Sequence, residues 1–152
     1  MWLLPWRKPL VDKATQARVV AAIKEAESKT TGEVRVYIEH ECKYEDPMLR
    51  AKEVFAKLHM QKTARRNAVL VYLALNSRHY AILGDTEIYE KAGGNTFFEK
   101  AAEEMKVYLK KNDVAGGLSH CVNELGKALA QHFPYDPSVP KNELPDEIVF
   151  GK

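Results

Sequence analysis

Five side chains in this sequence offer hard oxygen donors at positions where a fold could gather them: Glu33, Asn67, Asp85, Glu87 and Asp113. Carboxylates and an amide oxygen brought from separate segments suit calcium or magnesium, whereas zinc would call for His or Cys. Glu33 opens an apolar run just after Gly32, Asn67 precedes another, and Asp85 closes a third just after Gly84. Carboxylates held together at one rim repel unless a cation or a basic group sits between them. Arg66 could supply that charge through a salt bridge to Glu33 or Asp85, with no metal at all. Asp113 has a competing role, since a helix N-cap needs this residue type for its own hydrogen bonds.

The same parts could support hydrolysis. A cation would hold and polarise a phosphoryl oxygen, Arg65 or Arg66 would balance developing charge, and a bound water would attack. Arg66 is the candidate catalytic residue of that reading. The histidines His40, His59, His79, His120 and His132 show no spacing of a general-acid pair, and the serines Ser28, Ser77, Ser119 and Ser138 lack an elbow motif. Gly93-Gly94 and Gly116-Gly117 are bare pairs and not a phosphate loop of known type. Cys42 and Cys121 form no zinc-like spacing; Cys121 belongs on an apolar helix face and Cys42 in a polar loop.

The elements that must position these groups follow from periodicity. Asp12 caps a first helix whose apolar positions are read as Ala14, Ala17, Val20, Ile23 and Ala26. Val34, Val36 and Ile38 alternate with Arg35, Tyr37 and Glu39 in a first strand. Asp46-Pro47 starts a second helix with Ala51, Val54, Phe55 and Leu58 inward. Strand two, Ala68 to Leu75, is apolar almost throughout, as a strand covered on both faces should be. A right-handed crossover makes strands one and two parallel, so Glu33 and Asn67 start on one rim. Strand three, His79 to Leu83, returns through a turn at Asn76-Ser77 and brings Asp85 back to that rim. Thr96 and Glu99 match a capping box opening a third helix, and Asp113 caps a fourth, in which Gly126 allows a close approach. Beyond Pro134 the chain reads as an extended tail whose Ile148-Val149-Phe150 docks as an edge strand or covers apolar surface.

With 152 residues the chain is one ordinary domain: a tail over 1–10, an α/β domain over 11–133 and a tail over 134–152. A net charge of +2, without a clustered basic face, gives no reason to expect nucleic acid. Met1 to Lys8 has the wrong order and length for a signal peptide, and no segment is apolar enough to span a membrane. The cysteine usage and these absences predict a cytoplasmic protein. Trp2 and Trp6 pack on the domain, or anchor a membrane surface or a partner.

Thr31-Gly32-Glu33-Val34, Arg66 to Tyr72 and Ala81 to Asp85 together resemble the TPM domain family, with the likeness running from about Asp12 to Leu129; Asn142 to Ile148 resembles the ending of a bacterial subgroup. The resemblance implies a mixed α/β sandwich, divalent-cation binding in some members and acid phosphatase activity in plant ones. The expectation is a mixed sheet of three or four strands with helices on both faces. The function expected is calcium or magnesium binding at the rim, in a module that works through a protein partner. The alternatives are a metal-dependent phosphatase at the same rim and a purely structural interaction domain.

Overall fold

The computed structural model describes residues 10–139 and 144–151. Its elements are α1 (Lys13–Glu27), β1 (Glu33–Glu39), α2 (Pro47–Lys57), β2 (Ala68–Ala74), β3 (His79–Gly84), α3 (Thr86–Ala92), α4 (Asn95–Leu109), α5 (Val114–His132) and β4 (Val149–Phe150). The helix starts at Asp12, Asp46 and Asp113 behave as their residue types predict. Each side chain accepts from a backbone N–H of the first turn, at 2.7 Å from Thr15, 2.9 Å from Met48 and 2.8 Å from Gly116.

The strands form one sheet in the order β3-β2-β1-β4. β1 pairs parallel with β2 through the α2 crossover, and β3 returns antiparallel to β2. Every residue of β1 and β2 is buried, because both strands lie between layers. One face packs Val34, Val36, Val69, Val71 and Ile82 against α1, α3, α4 and α5. The other packs Leu70, Tyr72 and Ala81 against α2, Met60 and Leu144. The expected helices on both faces are therefore present, divided four to one.

Four local details differ from expectation. The inward positions of α1 are Val19, Ile23, Ala26 and Glu27, so the buried stripe is rotated from the one read and ends on a carboxylate. The β2–β3 turn takes Leu75 to Arg78 and not two residues alone. Leu75 and Asn76 donate to Glu39 and His40 carbonyls at 2.9 and 2.7 Å, which carries the chain on alongside β1 before it turns. Residues 86–92 form the short helix α3, which ends on Gly93 at φ 113. Gly94 then caps α4 with no side-chain bond, so the Thr96–Glu99 capping box is not what opens that helix.

The tail beyond Pro134 contributes to the core. Leu144 and Ile148 are buried, and Val149–Phe150 extends the sheet parallel to Tyr37 and Ile38. Trp2 and Trp6 lie outside the described residues.

Candidate functional site

Backbone pairing gathers the rim. Glu33 lies opposite Ala68, Val69 lies opposite Gly84, and the Asp85 N–H donates to the Ala68 carbonyl at 2.9 Å. The Glu33 N–H donates to the Asn67 carbonyl at 3.4 Å, so three chain segments meet at one end of the sheet.

The side chains there make separate arrangements. Arg66 adopts a left-handed backbone, φ 50, just before β2. From there its guanidinium forks onto Asp85, with Nε to Oδ2 and Nη2 to Oδ1 both at 2.7 Å. A two-pronged fit of this kind is the geometry Arg offers a carboxylate. Only 3% of the Asp85 side chain is exposed against 45% of Arg66. The bond to Asp85 holds the guanidinium above its ordinary pKa. Asp85 also N-caps α3, accepting from Thr86 N at 2.7 Å.

Asn67 is fully buried. Its Nδ2 donates to Thr31 Oγ1 at 3.2 Å and its N–H to Thr63 Oγ1 at 3.3 Å, while Oδ1 accepts no hydrogen bond from a described residue. Left unmet, a buried amide oxygen costs roughly 1–3 kcal/mol. Glu33, 2% exposed, accepts from Leu144 N at 3.2 Å and so ties the C-terminal segment to β1. Glu87 is exposed in the first turn of α3, its N–H bonded to the Arg66 carbonyl. Asp113 stands at the opposite end of the sheet. The start of α5 adjoins Leu73 to Leu75 at the end of β2, whereas Leu129, near the helix's close, packs on Gly32 by the rim. Among the described residues no group of three His, Cys, Asp or Glu side chains is assembled closely enough to hold a metal.

Sequence reading missed a second buried polar group beside Glu33. Glu27 Oε2 accepts from Val34 N at 2.7 Å. Burial first, then a hydrogen bond with Asp146, pushes the Glu27 carboxyl up to about 9. Arg35 is buried, and its Nε donates to no described residue; burial lowers its pKa against the pull of Glu147, Glu33, Glu27 and Asp146. The available signal was the i, i+4, i+8 series Val19, Ile23, Glu27, which puts a carboxylate on the apolar stripe of α1. No spacing could have announced Asp146, which comes from the far end of the chain.

A four-stranded mixed sheet between helical layers, with an Arg–Asp fork at the strand-end rim, defines an open-sheet α/β protein. The TPM domain model matches residues 8–128, and the chain belongs to that family. The NMR structure of BA42 protein from the psychrophilic bacterium Bizionia argentinensis is similar at 30% identity and a TM-score of 0.85, over 95% of this chain and 97% of that one. The N-terminal domain of cg2496 protein from Corynebacterium glutamicum shares the fold at 15% identity and a TM-score of 0.64, over 90% and 84%. A search of curated proteins finds no match. No helix among the described residues is long and apolar enough to cross a membrane.

Proposed function

We propose that the chain is a divalent-cation-binding module in which the ion takes the place of Arg66 on Asp85. The observation that carries this reading is the pairing of a buried carboxylate with a half-exposed counter-ion, at the same end of the sheet as an amide oxygen that accepts from no described residue. Arg66 can leave toward solvent; Asp85 cannot. Asn67 Oδ1 is the kind of unmet oxygen a hard cation satisfies, and Glu33 and Glu87 are the further carboxylates of this end of the sheet. Magnesium keeps several waters and needs only one or two carboxylates, so it suits a rim with few converging groups better than calcium, which takes six to eight oxygens. A bound ion would neutralise Asp85 and orient water, and a protein partner would read the rim's altered charge.

The rival, phosphoester hydrolysis, requires Arg66 to balance charge on a phosphoryl group. In the fork its guanidinium is held on Asp85 by two bonds, so that role becomes open only once a cation has displaced it, and cation binding is the step both readings share. The test is titration of metal-stripped protein with magnesium, and separately calcium, followed by amide chemical shifts. Perturbation centred on Asn67, Asp85 and Glu87 is expected; shifts spread over surface carboxylates elsewhere would refute the site.

A further inference from the structure

The end of the sheet opposite the rim holds a cavity of about 500 Å3. Leu73, Tyr80 and Leu109 give it apolar and aromatic walls. Arg78, Lys106 and Lys110 also line it, and no carboxylate does. We propose that this cavity binds a small organic dianion, a phosphate monoester or its equivalent on an apolar body, between the β2–β3 turn and the end of α4.

Three observations support the proposal. First, the cations come from two separate elements. Lys106 in the last turn of α4 and Lys110 at its C-cap stand one turn apart, a spacing at which like charges destabilise a helix. Arg78 joins them from the turn, where its backbone is left-handed at φ 56. The negative end of the α4 dipole accounts for lysines in its last turn, but not for an arginine delivered by another segment. Second, none of the three forms an ion pair with a described residue. Asp113, the acid next to lining residues Asn112 and Val114, is turned onto Gly116 N at 2.8 Å. Third, the cavity lies outside the carboxyl end of β2, the side of an open α/β sheet where ligands bind. Its volume falls in the range of small-molecule sites, roughly 300–1,000 Å3.

A dianion is preferred because a monoanion would leave two cations unanswered, and the apolar walls would gain nothing from bare inorganic phosphate. The site is independent of the rim, so either can fail without the other.

The experiment uses naphthylmethylphosphonate, an unhydrolysable mimic, with naphthylmethanol and inorganic phosphate as controls. Binding is read by calorimetry and by the amide shifts of Leu75, Arg78, Asn112 and Val114. The phosphonate should bind at least about tenfold more tightly than either control, and Lys106→Gln/Lys110→Gln should lose about tenfold in affinity with an unchanged Tm. Arg78→Asn, which tolerates the left-handed backbone, should weaken binding likewise. Competition by phosphatidic acid vesicles would assign the same headgroup chemistry to a lipid; no competition would assign it to a soluble ester. Equal binding of phosphonate and alcohol, shifts centred elsewhere, or undiminished affinity in both variants would overturn the proposal.

Discussion

Arg66 and Asp85 close the end of the sheet with two parallel 2.7 Å bonds, joining the residue that precedes Asn67 and β2 to the residue that follows β3. The fork supplies a counter-ion to a buried carboxylate and, through Asp85, caps α3. Arg66→Ala is expected to lower Tm by exposing Asp85 to an unpaired state. Asp85→Ala should lower it less, by the lost cap of about 1 kcal/mol, because it removes the buried charge along with its partner. Thermal melts of both variants in chelator check the order; equal stability of Arg66→Ala and wild type would mean that the fork contributes nothing.

Glu27 should impose a slope on stability against pH. Its folded pKa of about 9 lies above the ordinary 4.5, so the fold favours the protonated acid. The contribution is complete below about pH 4.5 and is lost as pH rises toward about 9. Glu27→Gln keeps an acceptor for Val34 N and a donor toward Asp146, so it should flatten the slope and raise stability at the alkaline end. Urea unfolding across that range decides it, and a slope unchanged by the substitution would count against the assignment.

Gly126 brings α5 against α1. A Cβ placed there would sit 2.6 Å from the Ala26 Cβ and 3.1 Å from its Cα, neither of which can swing aside. Gly126→Ala gains about 1 kcal/mol in helix propensity but must push two helices apart. A net loss of ~1–2 kcal/mol is expected, within the range for overpacked cores. An increase in the urea midpoint would show that the helices separate freely.

Arg50 holds Glu39 by Nε at 2.9 Å and Nη2 at 3.1 Å, and Tyr72 donates its hydroxyl to the same carboxylate. Burial works against the Glu39 charge, yet the bonds from Arg50 and Tyr72 outweigh it and keep the carboxyl below its ordinary range. Stability from this group is therefore lost as pH falls through that lowered pKa. Arg50→Ala should cost about 3 kcal/mol at neutral pH by stranding a buried carboxylate. Arg50→Ala/Glu39→Gln should recover part of the loss in the same melts, and no recovery would argue that Arg50 acts through packing alone.

Much of this fold was legible because local signals agreed. Asp12, Asp46-Pro47 and Asp113 each stand where a helix begins, and the β1–β2 crossover follows from strand–helix–strand order. The convergence of Glu33, Asn67 and Asp85 at one rim came from the same reasoning. Side-chain direction was less accessible. Arg66 reaches Asp85 from a left-handed backbone that its residue type does not advertise. Asp113 was grouped with the rim by chemistry alone, and only the length of α5 places it at the other end. The acidic cluster stayed hidden because Glu33 meets Leu144 across 111 positions of sequence, and burial built from such distant segments leaves no periodic trace. Similarly, α3 spans seven residues, too short for a full apolar period to stand out.

The central claim is that a divalent cation displaces Arg66 from Asp85. The most direct test is a thermal-shift titration of metal-stripped wild type, Asp85→Asn and Arg66→Ala with magnesium and calcium. At a hundred times its Kd an ion adds ~2.7 kcal/mol of stability. The account predicts a shift in wild type, none in Asp85→Asn, and half-maximal stabilisation at lower ion concentration in Arg66→Ala because the competitor is gone. No shift in any variant, or an equal shift in Asp85→Asn, would contradict it and leave the fork as a structural salt bridge.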